Sequence, residues 1–199
     1  MKKILITGAG SYIGTSFENY INTNFPDEYT VDTVDMIGGG WKEKDFSPYD
    51  AVFHVAGIAH QKENEKNEHL YYEVNRDLAI ETAKKSIEDG VKQFVFLSSM
   101  SVYGLNEGVI TKDTTPYPKN NYGKSKLQAE ELLKELTKNK IRLVILRPPM
   151  VYGENCRGNY QALRKIALKF PFFPKVKNMR SMIYIENLCE FVRILIKNE

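Results

Sequence analysis

The sequence predicts an α/β protein built on a doubly wound parallel sheet. Three observations carry this expectation. Short apolar runs alternate with helical stripes from the first residues onward. The runs show little polar alternation, as expected of strands covered on both faces. Glycines or prolines stand where these segments end, and the strand–helix order repeats. Right-handed crossovers then place helices on both faces of the sheet.

The elements follow in order. Residues 3–7 form a short buried strand closed by Gly8 and Gly10. Ile13, Phe17, Tyr20 and Ile21 then recur at helical spacing. Residues 29–35 read as a second strand and 51–55 as a third. Val74, Leu78, Ala83 and Ile87 make a helical stripe, with Gly90 where a C-terminal cap belongs. Residues 93–98 form a fourth strand. A strong helix runs over 122–137, with Leu132, Leu133 and Leu136 expected on its apolar side. Residues 141–146 form a fifth strand, stopped by Pro148 and Pro149. Helices follow over 159–169 and 186–197, separated by the proline-broken stretch 169–180.

Composition narrows the function. The 199 residues are 42% apolar and 27% charged with a formal charge of +3, ordinary for a globular protein. A nucleic-acid binder would carry a stronger basic stripe. The local basic concentration at 165–180 reads as solvated surface. No run approaches the ~18 apolar residues that span a bilayer, and the start lacks the long apolar stretch of a secretory signal. Cys156 and Cys189 make neither a disulfide framework nor a metal site. A cytoplasmic protein is expected, with no metal, no nucleic acid and no membrane partner. His54 and His60 read as packed or surface histidines.

The turn after the first strand is Thr7-Gly8-Ala9-Gly10-Ser11-Tyr12-Ile13-Gly14. Strand, glycine turn and helix bring backbone N–H groups of Ser11, Tyr12 and Ile13 to a positively polarised helix end, which suits a pyrophosphate. Gly8 fits the tight turn, Gly10 the close approach of ligand, and Gly14 the packing of helix on strand. Asp35 follows 21 residues after Gly14, at the end of the second strand. A carboxylate there accepts from both ribose hydroxyls and repels a 2′-phosphate, so NAD is favoured over NADP.

Ser98 and Ser99 end the fourth strand, at the sheet edge that faces the ligand crevice. Ser98 is assigned to the cofactor side and Ser99 to the reacting oxygen. Tyr122 and Lys126 stand at i and i+4, one face of a helix. A nearby ammonium favours the phenolate, and such a tyrosine takes a proton from an alcohol while hydride leaves the same carbon.

The chain resembles the extended short-chain dehydrogenase/reductases, of the NAD-dependent nucleotide-sugar epimerase/dehydratase family. The stretches that carry the resemblance are TGAGSYIG (7–14), Asp35, HVAG (54–57), VNRDLAIETAKK (74–85), FVFLSSMSVYG (94–104), YGKSK (122–126), LRPPMVYG (146–153) and NMRSMIYIENL (178–188). The resemblance implies a Rossmann-type fold over 1–153, carrying the cofactor and catalytic residues, and a truncated or minimal substrate-binding portion over 154–199. It implies that Ala56 and Gly57 line the cofactor near its nicotinamide ribose, that Asp45 and Phe46 contact adenine, and that Pro148 meets the nicotinamide end. Asn75 takes the place of a structural asparagine near the cofactor. Ser99, Tyr122 and Lys126 take the catalytic places. On the substrate side it implies Asn159, Lys177 and Arg180, the last two toward the diphosphate of a UDP-linked sugar, with Lys175 adding charge. A homodimer is compatible with it.

The departures narrow the reaction. Ser11 replaces a frequent glycine, and Met150 an asparagine that often touches substrate. Sugar 4,6-dehydratases carry an Asp-Glu pair after the catalytic hydroxyl residue, whereas Met100 and Ser101 stand here. The order of expectation is therefore NAD-dependent 4-epimerase first, then sugar keto-reductase, then dehydratase. A non-catalytic NAD-binding module is the reading from a different class.

Overall fold

The computed structural model describes residues 1–59, 67–156, 158–170, 172 and 179–198. Five parallel strands form the main sheet: β1 (Lys2–Thr7), β2 (Tyr29–Val34), β3 (Ala51–His54), β4 (Gln93–Leu97) and β5 (Arg142–Leu146), in the order β2-β1-β3-β4-β5. The chain leaves β1 toward one edge and returns to its other side with β3. The order thus reverses between β1 and β3, and sheets of this kind take their ligands outside the C-terminal strand ends at such a point.

Helices cover both faces because the strands are apolar on both. On one face, Ile4, Ile6, Phe53 and Val95 pack under Phe17 and Ile21 of α1 (Tyr12–Asn24) and under Leu188, Val192 and Ile196 of α6 (Ile185–Lys197). On the other, Leu5, Val52, Phe94 and Phe96 meet Ala79 and Ala83 of α3 (Leu78–Glu88) and Ala129 and Leu133 of α4 (Asn121–Thr137). Each fully buried Ile, Leu or Phe contributes roughly 1.5–3 kcal/mol. Small alanines on α3 and α4 let the helices sit close to the Phe-rich strands.

Several expectations change in detail. The helical stripe begins earlier, at α2 (Glu68–Tyr72), and runs through a π turn over Glu73–Asp77 into α3. Gly90 follows it with φ 76°, the left-handed conformation of a helix stop. Leu132 of α4 is exposed, and the helix buries Ser125, Lys126, Ala129, Glu130, Leu133 and Thr137 instead. Leu133 is in the core and Leu136 packs against it, as expected, and only Leu132 falls on the solvent side, because much of the buried face is polar. The parallel pair β6 (Met150–Tyr152) and β7 (Met182–Tyr184) was not anticipated; strands of three residues carry too little pattern. α5 occupies Asn159–Lys169 as expected.

The last helix of the 154–199 portion belongs to the core of the first. Its C-terminal carbonyls, which lack partners within the helix, accept from Lys2 Nζ at Ile196 (2.9 Å) and from Gln93 Nε2 at Leu195 (3.0 Å). Arg142 donates to the carbonyl of Asn198. The N-terminal strand, β4 and β5 are thereby tied to the end of α6.

Candidate active site

The glycine turn stands at the end of β1, as the sequence predicted. Gly8 N–H and Ala9 N–H both donate to the Val34 carbonyl, at 3.0 and 3.1 Å, which folds the turn over β2. Gly8 has φ 116°, and a Cβ there would stand 2.8 Å from the Ala56 nitrogen. Gly14 leaves no more room: a Cβ would meet Ser11 Oγ at 2.6 Å. That hydroxyl caps α1 by accepting from Gly14 N–H at 3.2 Å. By helix geometry the N–H groups of Tyr12 and Ile13 have no intrahelical acceptor. A Cβ on Gly10 would meet nothing within 4 Å. A tight turn beside open space and outward N–H groups fits a dinucleotide pyrophosphate.

The other cofactor-side residues divide. Asp35 is exposed just beyond β2, with Oδ1 accepting from Ile37 N–H at 3.0 Å. Ala56 and Gly57 follow β3 against the glycine turn, and Ala56 N–H donates to the Thr7 carbonyl at 2.9 Å. Asn75 is fully buried and pins this loop: Oδ1 accepts from Ile58 N–H at 2.9 Å, and Nδ2 donates to the Ile58 carbonyl and to Ser125 Oγ. Pro148 follows β5, its carbonyl accepting from Met100 N–H at 3.2 Å. Two assignments are revised, those of Phe46 and Ser98. Phe46 is fully buried in the core under Lys85, so its ring does not face a ligand. Asp45 closes a local turn onto Ser47, which holds its carboxyl below the usual range. Ser98 is buried and donates to Glu130 Oε1 at 2.5 Å, so its hydroxyl serves α4 rather than the crevice.

Ser99, Tyr122 and Lys126 converge at the ends of β4 and α4. Ser99 Oγ donates to Ser101 Oγ at 3.1 Å and accepts from Ser101 N–H. Burial pushes the Tyr122 phenol up, and a hydrogen bond with Ser99 pulls it down. The sequence reading gave that lowering to Lys126; here it comes from Ser99. Asn120 caps α4 by accepting from Gly123 N–H at 2.8 Å, which places Tyr122 in the first turn.

Lys126 is 4% exposed. Its ammonium donates to the Leu97 carbonyl at 2.9 Å and lies 4.7 Å from the Phe96 ring centre. Nζ is 3.3 Å from where a Gly57 Cβ would stand, so the residue after Ala56 must be small. Burial depresses this amine to about 7. His54, under the same crevice, is fully buried beside the Phe94 and Phe96 rings, as a packed histidine. Its Nδ1 is 2.7 Å from Thr7 Oγ1, its Nε2 has no partner among the described residues, and burial depresses it to about 3.

The residues expected on the substrate side belong to later segments. Arg180 is exposed, two residues before Met182, which pairs with Met150 in the β6–β7 ladder. Asn159 opens α5. Lys175, Lys177 and His60 fall outside the described residues. The sequence reading missed Glu130 and Arg147. Glu130 is fully buried and accepts from Arg147 Nε at 2.9 and 3.1 Å. The signal was its place four residues after Lys126, on the same helical face as Tyr122 and Lys126. Among the described residues no helix is long and apolar enough to cross a membrane.

Comparison with known proteins identifies the family. The chain is 31% identical, over 98% of its length, to an N-acetyl-alpha-D-glucosaminyl-diphospho-ditrans,octacis-undecaprenol 4-epimerase of Escherichia coli O157:H7. It is also 31% identical, over 96% of its length, to a UDP-glucose 4-epimerase of Vibrio cholerae. It spans 63% and 65% of these two relatives. A solved UDP-glucuronic acid 4-epimerase from Bacillus cereus, in complex with NAD, shares the fold, with a TM-score of 0.80 and 24% identity over 98% of this chain and 73% of that one. The description "NAD dependent epimerase/dehydratase family" matches residues 4–199. The chain therefore belongs to the NAD-dependent epimerase/dehydratase family.

Proposed function

We propose that this chain binds NAD across the glycine turn and acts as a 4-epimerase on a nucleotide sugar, with a UDP-linked sugar the favoured class. The observation that carries the proposal is the joining of Ser99 and Tyr122 by a hydrogen bond, with the Lys126 ammonium buried one turn along α4 and against the loop after β3.

The residues divide the work. Gly10 and the Tyr12 and Ile13 N–H groups hold the pyrophosphate, and Asp35 holds the adenosine ribose. Gly57 and Lys126 bound the nicotinamide side. When bound, the cofactor supplies reversible hydride chemistry at the sugar C4. Tyr122 takes the proton of the 4-hydroxyl and later returns it to the other epimer. Ser99 holds that oxygen, and Lys126 stabilises the charge that Tyr122 carries. Met100 and Ser101 offer no carboxylate, which favours epimerisation or keto-reduction over elimination. Arg180 enters the small sheet from the same end as Pro148 and is assigned the substrate diphosphate, where a planar fork suits phosphate. Two buried free cysteines suit a reducing compartment, so a cytoplasmic location is part of the proposal.

The test has two arms. Mass spectrometry of ligands released from the denatured protein should show NAD. Incubation with UDP-sugars should interconvert C4 epimers without net change in cofactor, and Tyr122→Phe should lower turnover about 10²–10⁴-fold while keeping NAD affinity. Retained NAD with no turnover on any nucleotide sugar would make the chain a binding module instead.

A further inference from the structure

We propose that Glu130, clamped by Arg147, is a positioning residue of the Ser99–Tyr122–Lys126 site: it locks the catalytic face of α4 to the ends of β4 and β5 and supplies the counter-charge to the Lys126 ammonium. The inference rests on the catalytic reading above and adds two residues to it.

The contacts define a bracket. Tyr122, Lys126 and Glu130 are spaced by four and share one face of α4. Glu130 is fully buried. Its Oε1 accepts from Ser98 Oγ at 2.5 Å and from Arg147 Nε at 2.9 Å. Its Oε2 accepts from Arg147 Nε at 3.1 Å and from Arg147 Nη2. Ser98 is the residue before Ser99, and its N–H donates to the Leu146 carbonyl at 2.7 Å. Arg147 directly follows β5. Its Nη1 donates to Tyr103 Oη at 2.7 Å, and its guanidinium lies 5.0 Å from the Tyr103 ring centre. Tyr103 ends the short turn Met100–Tyr103 that Ser99 caps. One carboxylate thus joins the helix bearing Tyr122 and Lys126 to the strand end bearing Ser99. The arginine joins both to the turn that follows.

A buried ion pair is a poor stabiliser by itself, because desolvation consumes most of the Coulombic gain. A bidentate pair in this place is better explained by the geometry that it fixes. Its charge also matters locally. Burial pushes the Lys126 amine down, and the Glu130 carboxylate works against that. Among the described residues, the groups that face the Lys126 ammonium are Glu130 from α4, His54 from β3, the Leu97 carbonyl and Phe96 ring from β4, and Asn75 and Gly57 from the loop side. His54 is held neutral by burial, which leaves Glu130 as the anion facing Lys126 among the described residues.

The experiment compares the parent chain, Glu130→Gln, and Glu130→Met/Arg147→Met. Glu130→Gln should lower kcat roughly 10- to 100-fold, the scale of an ångström-level misplacement, with KM and NAD affinity nearly unchanged. The double variant removes both members of the Glu130–Arg147 pair, so neither is left buried alone, and its thermal midpoint should recover part of the way toward the parent's, the Lys126 amine alone having lost its anion. Its kcat should stay low. If kcat returns with the thermal midpoint, or if Glu130→Gln keeps parental kcat, the pair is only structural and the proposal fails. A parent chain that binds NAD without turnover would sink the function and leave this inference readable by lysine NMR. Lys126, identified by loss of its signal in Lys126→Arg, should titrate at lower pH in Glu130→Gln than in the parent. An unchanged midpoint overturns the proposal.

Discussion

Two glycines of one turn should fail in opposite ways. Gly8→Ala adds a Cβ 2.8 Å from the Ala56 nitrogen and 3.0 Å from its Cα. Both are backbone atoms, and that nitrogen is tied to the Thr7 carbonyl at 2.9 Å. The loop after β3 must therefore shift as a unit. Forced overpacking costs about 1–3 kcal/mol. A side chain at φ 116° adds roughly 1–3 kcal/mol of backbone strain. At about 2–4 °C per kcal/mol for a chain of this size, a loss near 3 kcal/mol lowers the thermal midpoint by roughly 6–12 °C. Gly10→Ala also sits at positive φ, 74°, but its Cβ meets nothing within 4 Å. It pays only the left-handed strain of about 1–2 kcal/mol. Its methyl group instead fills the space assigned to the pyrophosphate, so NAD affinity should fall about tenfold or more, at least 1.4 kcal/mol. Scanning calorimetry and NAD titration on the two variants decide the matter. Equal thermal losses, or parental NAD affinity in Gly10→Ala, would refute the assignment of the open space to the cofactor.

Asp35→Ala should narrow the preference for NAD over NADP in binding titrations; a parent chain that binds NADP as tightly as NAD overturns that role. Arg180→Ala should weaken UDP binding by calorimetry and leave NAD binding alone; superimposable UDP titrations return Arg180 to the surface. Lys126→Met should abolish turnover yet raise the thermal midpoint at pH 7. The folded amine sits near 7 against 10.5 when unfolded, so the unfolded chain holds the extra proton between those values and parental stability rises with pH there. The gain from the methionine should therefore shrink as pH rises from 7 toward 10.5, and a gain that grows instead contradicts the burial argument. His54 works in the acid range: its folded value near 3 lies below 6.5, so stability present above pH 6.5 drains away as pH falls toward 3. His54→Phe should flatten acid unfolding over that window, and an unaltered acid slope would show that the ring is protonated in the folded state.

The legible parts of the molecule were those with short-range pattern. Residues 3–7, 51–55 and 93–98 are dense in Ile, Val, Leu and Phe, and each lies on a central strand buried on both faces. The glycine turn was readable because strand, glycines and helix are contiguous, and Tyr122 with Lys126 because four residues make one helical turn. Glu130 was hidden by its surroundings: the stretch around it, QAEELLKEL, looks like solvated helix, and only its spacing of four from Lys126 separates Glu130 from Glu131 or Glu135. Its partner lies 17 residues away beyond a strand, so only tertiary structure makes it a buried anion. Leu132 misled for the converse reason. A leucine normally marks the core side, but here that side of α4 is occupied by Ser125, Lys126 and Glu130. Phe46 was placed at the adenine by position alone, while its aromatic character belonged to the core.

The misreadings on α4 share a physical origin. Around the site the protein buries groups that cost folding free energy: a lysine ammonium, a carboxylate, and a histidine whose Nε2 finds no partner among the described residues. Hydrophobic pattern cannot announce them, because each is tolerated through specific contacts and not through transfer from water. The cost is met by the strands beneath. Phe94 and Phe96 of β4 lie beside His54 on the neighbouring strand, and Lys126 lies over Phe96, so one apolar strand flanks the histidine and forms the floor of the lysine. That floor keeps water from the amine, and a dry amine interacts more strongly with any charge that Tyr122 acquires. Phe96 is therefore a single point where packing and chemistry meet: the aromatic residue that makes β4 a core strand also makes Lys126 a usable partner for a phenolate.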